Sequence, residues 1–172
     1  GTANHLLDPR DFVIPDDYLD FSVRKDVELD GKYLLVMRDS LCSEVRSTLV
    51  EKTRAHYNGR IFTRGIYANT DGRHFESPAE VAMMKGHADI IGQSICPEVY
   101  LAREIGACFA GLYFVVNYGE GLVAQWSHDD LNDIFYDDAP MISRIIIDTI
   151  RQLPVNGQCE CKDLRKETLL KG

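Results

Sequence analysis

Three short polar segments carry side chains that can hold a planar heterocyclic ligand. The segments are TDGRHFE (70–76), GQSICPE (92–98) and NYGEG (117–121). They supply an aromatic face, a carboxylate, a hydroxyl and a carboxamide, from Phe75, Glu76, Ser94 and Asn117. A planar base is bound by an aromatic face with a donor and an acceptor along its edge, whereas a sugar or an anion needs hydroxyls and backbone N–H groups. These residue types therefore predict a small-molecule site.

Each of the three segments follows a predicted strand. Strand-like runs cover 60–69, 89–91 and 107–116, and the last is apolar almost throughout, which predicts a strand buried on both faces. Two earlier strand-like runs cover 11–21 and 32–37. Because ligands bind at the C-terminal ends of the strands in open α/β sheets, we expect the three polar segments to lie close together.

Helices are predicted between these strands. Their start and end signals are, in chain order, Ser40 as an N-cap with Glu44 in the next turn, Asn58-Gly59 as a stop, Ser77-Pro78, Pro97, and Ser127 with a bend near Pro140. The alternation of strands and helices predicts an α/β fold with at least some parallel strands.

Composition narrows the class of partner. The chain has 172 residues, 45% of them hydrophobic, which is enough for one packed core, so we expect residues 1–172 to form a single domain. A net charge of -8 and the absence of a Lys/Arg stripe argue against nucleic acid. No apolar run is long enough to span a bilayer and no signal pattern begins the sequence, so we expect a cytoplasmic protein without a membrane partner.

The five cysteines fall into two groups. Cys42, Cys96 and Cys108 lie in apolar segments, where reduced thiols behave as small hydrophobes. Cys159 and Cys161 form a Cys-x-Cys motif in a predicted polar tail, residues 154–172. The sequence favours two exposed thiols there, because no second Cys or His pair with metal-ligand spacing accompanies them. A metal or redox role and a stabilising disulfide remain open.

The polar segments belong to a longer pattern. The runs GRHFESPAE, ADIIGQSICPEVYLAREIGACFAG and VVNYGEG resemble consecutive motifs of the trimeric purine nucleoside phosphorylases, including the methylthioadenosine phosphorylases. Order and spacing agree over 60–135, with about one residue missing near 85–87. The first 22 residues, GTANHLLDPRDFVIPDDYLDFS, resemble another stretch of that family, so the resemblance covers nearly the whole chain. It implies a three-layer α/β/α sandwich of the nucleoside phosphorylase type.

The resemblance implies phosphorolysis, in which phosphate attacks C1' of a purine nucleoside and free purine departs, with no metal or organic cofactor. Asn117 matches the family position that hydrogen-bonds the base near N7 and the 6-substituent, and Glu76 the carboxylate that accepts from N1–H. Phe75 would pack on the base and Ser94 would contact phosphate. These matches imply a preference for 6-oxopurine nucleosides, inosine, guanosine or 5'-methylthioinosine. Methylthioadenosine is the alternative substrate.

Three further positions matter for the sugar and the 6-substituent. His128 resembles a family residue near the nucleoside 5' position, and a surface residue in the first turn of a helix is an equal alternative. Gly119 stands where methylthioadenosine-selective relatives carry Asp, which removes a partner for an adenine amino group. Gln93 replaces a Met that packs on the sugar, and it implies a ribose contact that costs free energy if the amide is buried unpaired.

The resemblance also implies family parts that lie upstream of the position of Gly1, including a glycine-rich phosphate loop. Three explanations are open: a fragmentary sequence, a split enzyme with a separate N-terminal polypeptide, and a non-catalytic purine-binding or interaction module. We expect the 172 residues alone to bind purine weakly, if at all, and to show no phosphorolysis, because one Ser hydroxyl cannot orient phosphate. The family's homotrimer, in which a neighbouring subunit's aromatic residue reaches the sugar, is carried over as an expectation.

Overall fold

A computed structural model describes residues 1–29, 31–123, 127 and 129–167, and strands and helices alternate along it. The strands are β1 (Phe12–Val13), β2 (Asp17–Asp20), β3 (Tyr33–Leu35), β4 (Ile61–Phe62), β5 (Ile66–Asn69), β6 (Ile90–Gly92), β7 (Tyr113–Phe114) and β8 (Arg165–Glu167). The helices are α1 (Ser43–His56), α2 (Pro78–Met84), α3 (Glu98–Ile105) and α4 (Asp130–Gln152), with a 3₁₀ helix at Cys161–Asp163. The predicted α/β class is confirmed.

A parallel sheet of order β2-β5-β6 aligns the strand ends that matter for the site. Asn69, the last residue of β5, pairs in register with Asp20 at the end of β2 and with Gly92 at the end of β6. All three strands therefore end at the same edge of the sheet. The first two polar segments of the sequence start directly after β5 and at the end of β6, as the sequence predicts.

Two more sheets tie distant parts of the chain together. β1 lies between β4, to which it is parallel, and β7, to which it is antiparallel. β3 pairs antiparallel with β8, so the segment predicted as a polar tail contains a strand and a 3₁₀ helix. Cys161 and Leu164 in that segment are buried, which attaches it to the body of the fold. The prediction of two exposed thiols is therefore wrong, because Cys161 is buried and Cys159 is half-buried.

The parallel sheet packs apolar side chains on both of its faces. Tyr67 of β5 and Ile90 of β6 belong to one buried cluster, and the next residue of each strand, Ala68 and Ile91, belongs to a second cluster. Successive side chains of a strand point to opposite faces, so the sheet separates two apolar layers. Burial on both faces is typical of parallel sheets.

The helix starts agree with the sequence at α2 and α3 and differ at α1 and α4. Pro97 directly precedes α3, as predicted. Ser77 caps α2, with Pro78 in the first turn and a reciprocal capping box with Glu80. The prediction that Ser40 caps α1 is wrong, because Cys42 occupies the N-cap position. The Ser40 hydroxyl instead donates to Asp17 of β2 at 3.3 Å. Asp129 rather than Ser127 precedes α4, and the Ser127 hydroxyl accepts from the Asp129 backbone N–H.

The long strand predicted over 107–116 is wrong. Only Tyr113–Phe114 forms a strand, and both residues are half-buried rather than enclosed. The carbonyl of Phe109 accepts from the backbone N–H of Cys42 at 2.7 Å, so this part of the chain bonds to the start of α1 instead of to a neighbouring strand. Its apolar side chains pack as an irregular segment against α1 and the core.

Helix α4 packs against α1 and runs through Pro140 as one element. Ile134 and Ile145 are buried on the packed face, whereas Phe135, Tyr136 and Ile150 are each more than 60% exposed. The apolar stripe predicted from the sequence is therefore only partly covered. Among the described residues, none of the helices has both the length and the apolar character needed to cross a bilayer.

Candidate ligand-binding pocket

A pocket of about 470 Å³ opens at the edge where the parallel strands end. Its wall includes Phe75, Glu76, Gln93, Asn117 and Gly119. The volume is in the range of small-molecule sites in proteins. The three polar segments therefore converge as the sequence predicts, and the pocket brings together five of the seven predicted site residues.

The Glu76 carboxylate is held by two neighbouring side chains. Thr70, the first residue after β5, donates its hydroxyl to Oε1 of Glu76 at 2.7 Å. The amide Nε2 of Gln93 donates to the same oxygen at 3.3 Å and to the Thr70 hydroxyl oxygen at 3.1 Å. The three side chains form a small polar network that fixes Glu76 in the pocket. Gln93 is thus exposed and paired rather than buried and unpaired, and its amide is directed to Glu76.

Asn117 is buried, with 5% of its surface exposed. Its Nδ2 donates to the backbone carbonyl of Tyr118 at 3.0 Å, which orients the carboxamide. In the described part of the chain, Oδ1 of Asn117 has no hydrogen-bond donor. Because Asn117 lines the pocket, this oxygen is suited to accept a hydrogen bond from a ligand.

The first residues of the chain join two walls of the pocket. The backbone of Gly1 to Ala3 lies between β6 and the segment after β7, with bridges from Thr2 to Ile90 and to Tyr118. Ala3 donates to the Asp89 carbonyl at 2.9 Å, and Gly119 donates to the Thr2 carbonyl at 2.8 Å. This inserted segment fixes the separation between β6 and residues 117–119.

Gly119 leaves no room for a side chain. A Cβ at this position would lie 2.9 Å from the backbone oxygen of Thr2 and 3.0 Å from Cγ1 of Val81. The pocket wall at Gly119 is therefore bare backbone. A carboxylate that could accept from an exocyclic amino group is absent at this position of the wall.

Ser94 lies one residue beyond Gln93 and outside the pocket wall. Its hydroxyl pairs with the hydroxyl of Tyr67 at 3.1 Å, and its backbone N–H donates to the same Tyr67 oxygen at 3.1 Å. Burial raises the pKa of Tyr67, so this hydroxyl stays protonated and serves as a hydrogen-bonding group. Tyr67 was not identified from the sequence, where it is one apolar residue of a predicted strand.

Asn69 is a second positioning residue that sequence reasoning missed. It is 1% exposed, and its Oδ1 accepts from the backbone N–H groups of Ile95 and Cys96, each at 3.1 Å. These bonds fix the loop that carries Gln93 and Ser94. A polar residue ending an apolar strand was the available signal, because a buried carboxamide needs partners.

Asp20, at the end of β2, completes the same edge of the sheet. Its carboxylate accepts from the hydroxyl of Tyr100 on α3 and from the hydroxyl and backbone N–H of Ser22. Burial by itself would raise the pKa of Asp20, but the hydrogen bonds from Ser22 and Tyr100 hold it below the ordinary value of 3.8. The Asp20 carboxylate therefore links β2 to α3.

The other predicted residues are placed as follows. Phe75 lies on the pocket wall with 50% of its surface exposed. Arg73 and His74 precede it in the wall, and both are exposed. Arg73 adopts a left-handed backbone conformation with φ of 69°, next to Gly72 with φ of 75°, so the loop turns sharply before Phe75. The predicted residue His128 lies outside the described residues.

Comparisons with known proteins agree with this geometry. Residues 1–151 match the profile of the Phosphorylase superfamily. A probable 6-oxopurine nucleoside phosphorylase of Korarchaeum cryptofilum is 33% identical, over 98% of this chain and 69% of its own length. A probable S-methyl-5'-thioinosine phosphorylase of Methanosarcina acetivorans is 33% identical, over 88% of this chain and 59% of its own.

A solved structure supports the same relationship. The methylthioadenosine phosphorylase sourced from an antarctic soil metagenomic library superposes with a TM-score of 0.78 at 28% identity, over 88% of this chain and 55% of its own. The chain thus spans roughly three fifths of the length of these relatives. Similarity over most of the chain, in sequence and in fold, shows that it belongs to the phosphorylase superfamily of nucleoside phosphorylases.

Proposed function

We propose that this chain forms the purine-binding part of a nucleoside phosphorylase that prefers 6-oxopurine nucleosides. The substrates are inosine, guanosine or 5'-methylthioinosine, and the products are free purine and the corresponding ribose 1-phosphate. The observation that carries the proposal is the placement of Glu76 and Asn117 in one pocket beside the ring of Phe75. The names of the relatives from Korarchaeum cryptofilum and Methanosarcina acetivorans support the same substrate class.

The pocket offers complementary groups to the edge of a 6-oxopurine. Oδ1 of Asn117 accepts from N7–H of the departing base, and its amide N–H donates to O6. Glu76 accepts from N1–H and, in guanine, from the 2-amino group. Adenine has no N1–H to donate to Glu76 and carries an amino group in place of O6. The bare backbone at Gly119 provides no carboxylate to accept from that amino group.

The chemistry that follows is an electrostatic and positioning problem. A phosphate oxygen forms a bond to C1', the bond from C1' to N9 breaks, and its electron pair moves into the purine, which takes up a proton from water at N7. The amide N–H of Asn117 stabilises the negative charge that develops at O6, and its Oδ1 accepts from the protonated N7. Glu76, fixed by Thr70 and Gln93, orients the base. We assign Ser94 to the phosphate side because it matches the family's phosphate-contacting serine, and it is exposed beside the pocket.

A second substrate, S-methyl-5'-thioadenosine, has the support of the solved methylthioadenosine phosphorylase that shares this fold at 28% identity. A third reading, from another class, is a purine-binding module or the subunit of a split enzyme that acts only with a second polypeptide. The three are separated by measuring base binding and phosphorolysis independently, because a module binds base without cleaving a nucleoside.

The decisive experiment compares the wild-type chain with Asn117→Asp. Calorimetry of hypoxanthine and adenine measures base preference, and release of purine from inosine and methylthioadenosine in phosphate measures catalysis, with and without an added N-terminal segment of a relative. We expect Asn117→Asp to move preference toward adenine by about 10- to 100-fold, the size of one or two charge-assisted hydrogen bonds. The matched control Asn58→Asp, an exposed position after α1, should leave preference unchanged.

Each outcome selects one reading. Unchanged discrimination in Asn117→Asp contradicts the base assignment. Preference of the wild type for methylthioadenosine selects the second substrate, and base binding with no turnover in any mixture selects the module. Robust turnover by the 172-residue chain alone means that its own residues bind phosphate. Arg73 and His74 are then the first candidates.

We also propose that the protein assembles as a homotrimer, which the exposed apolar side chains of α4 support. Phe135, Tyr136 and Ile150 would be covered by a neighbouring chain in such an assembly. Sedimentation at micromolar concentration tests this, and a stable monomer contradicts it. The cytoplasmic location and the absence of a nucleic-acid partner remain predictions from the sequence.

A further inference from the structure

Four cysteines from separate parts of the chain meet at one point of the fold. The four-cysteine cluster consists of Cys42, Cys108, Cys159 and Cys161, whose Sγ atoms all lie within 4.8 Å of one another. Cys42 begins α1, Cys108 follows α3, and the other two lie on either side of Glu160 after α4. The cluster shares no residue with the wall of the purine pocket.

The spacing of the sulfur atoms matches a tetrahedral thiolate site. With a Zn–S distance of about 2.3 Å, the sulfurs of a tetrahedral site lie about 3.8 Å apart. The Sγ atoms of Cys108 and Cys159 are 3.3 Å apart, and no pair in the cluster exceeds 4.8 Å, so small side-chain adjustments reach that geometry.

A buried cation beside the cluster provides an independent argument. Arg103 is 2% exposed, and its guanidinium donates to the backbone carbonyls of Cys161 at 3.3 Å and Asp39 at 2.7 Å. Within the described ranges of the chain, Arg103 makes no ion pair with a carboxylate. A buried charge costs free energy unless it is paired with an opposite charge or held by hydrogen bonds. Four thiolates around a divalent cation carry a net charge of -2, which compensates the guanidinium.

Burial of the cluster is uneven in a way that allows a metal ion to enter. Cys42 and Cys161 are buried, Cys159 is half-buried, and Cys108 is exposed. The exposed side is accessible to solvent, and the buried side fixes two ligands before the metal ion arrives. Four protein ligands leave no coordination position for a substrate, which is typical of structural rather than catalytic zinc.

We propose that the four-cysteine cluster binds one Zn²⁺ ion as a structural site. Binding exchanges four thiol protons for the metal ion, with no change of oxidation state. The ion attaches the segment after α4 to the start of α1 and to the segment after α3. The cluster has no Cys-x-x-Cys pair, so a search of the sequence for zinc-ligand spacing does not reveal it.

The test is a metal analysis of the full 172-residue chain purified under reducing conditions with zinc supplied. We expect one zinc per chain and, after exchange with Co²⁺, the visible absorption of tetrahedral cobalt bound by thiolates. Cys108→Ser and Cys159→Ser should each lower metal affinity by more than about 100-fold, because losing a ligand exceeds the effect of losing an outer hydrogen bond. Cys96→Ala removes the cysteine outside the cluster and should keep one zinc per chain.

Two results overturn the proposal. The first is a purified chain that retains no zinc although a thiol reagent detects all five cysteines as free thiols. The cluster is then a set of packed cysteines without a metal ion. The second is a chain purified without reductant that is lighter by two or four hydrogens and does not take up zinc after reduction, which makes the cysteines a disulfide framework. Because Cys108 is exposed, the Cys108→Ser variant should fold. Cobalt absorption by the wild-type chain tests the proposal without any variant.

Discussion

The purine pocket and the four-cysteine cluster are assembled in different ways. In the pocket, backbone hydrogen bonds of Gly1 to Ala3 hold the walls, and hydrogen bonds from Thr70 and Gln93 fix Glu76. In the cluster, four sulfur atoms from three places in the chain converge with no strand pairing among them. The pocket is therefore shaped before a ligand arrives, whereas the cluster needs an added bond to become rigid. Changes at the two regions should have different consequences.

Removing zinc should produce the largest effect, and only at the cluster. A metal ion that binds the folded state alone stabilises it by about 4 kcal/mol when its free concentration is 1,000 times the dissociation constant. Chelation should therefore lower the melting temperature and speed amide hydrogen exchange in residues 153–167. Exchange in residues 66–76 of the pocket should not change. Equal loosening of both regions contradicts the separation between them.

Glu76→Gln should have the next largest effect, and only at the pocket. The substitution keeps the size of the side chain but removes the charge that accepts from N1–H, a loss of about 10- to 100-fold in affinity for hypoxanthine. Calorimetry measures the loss. Glu51→Gln, at an exposed position on α1, is the matched control and should bind hypoxanthine like the wild type. Full binding by Glu76→Gln removes Glu76 from base recognition.

Gly119→Ala tests whether the pocket walls are as rigid as the backbone contacts indicate. Its Cβ would lie 2.9 Å from the Thr2 oxygen, so we expect a loss of about 1–3 kcal/mol in the free energy of unfolding. Gly86→Ala is the control, because a Cβ there meets nothing within 4 Å. Denaturant titration compares the two variants. Equal stability of the two shows that the inserted segment moves freely.

Acid titration of Asp20→Asn should give the smallest effect. The pKa of Asp20 is lowered in the folded state, so its contribution to stability is complete above the unfolded value near 3.8. That contribution is lost as the pH falls through the lower folded pKa. The difference in melting temperature between wild type and Asp20→Asn should therefore narrow below about pH 4. A difference that stays constant down to pH 2 shows that Asp20 acts through packing alone.

Much of the pocket was predictable because its residues follow strands directly. The segments that contain Glu76 and Gln93 begin at or just after the ends of β5 and β6, and parallel register carries them to one edge. Asn117 follows β7 of another sheet, and the Thr2 backbone holds it beside them. The network around Glu76 was not predictable. Whether Gln93 reaches a ribose or a carboxylate depends on side-chain directions that the order of residues does not determine.

The sequence failed where tertiary contacts override local pattern. Residues 107–116 have the composition of a buried strand, but the carbonyl of Phe109 accepts from the backbone N–H of Cys42, and the strand forms only at Tyr113–Phe114. Cys108 is exposed although its neighbours are apolar, and Cys161 is buried although its neighbours are polar. The four-cysteine cluster depends on these two exceptions, so local composition pointed away from it.

The hydrogen bond from Thr70 to Glu76 has a consequence for how the family can vary. It closes residues 71–75 into a loop whose two ends are fixed, one by β5 and the other by the capping box that starts α2 directly after Glu76. An inserted or deleted residue within 71–74 is absorbed by the loop and leaves the carboxylate in place. The same change between Glu76 and Ser77 separates the carboxylate from the helix that supports it. Differences in length among related proteins should therefore accumulate before Phe75 and be rare after Glu76.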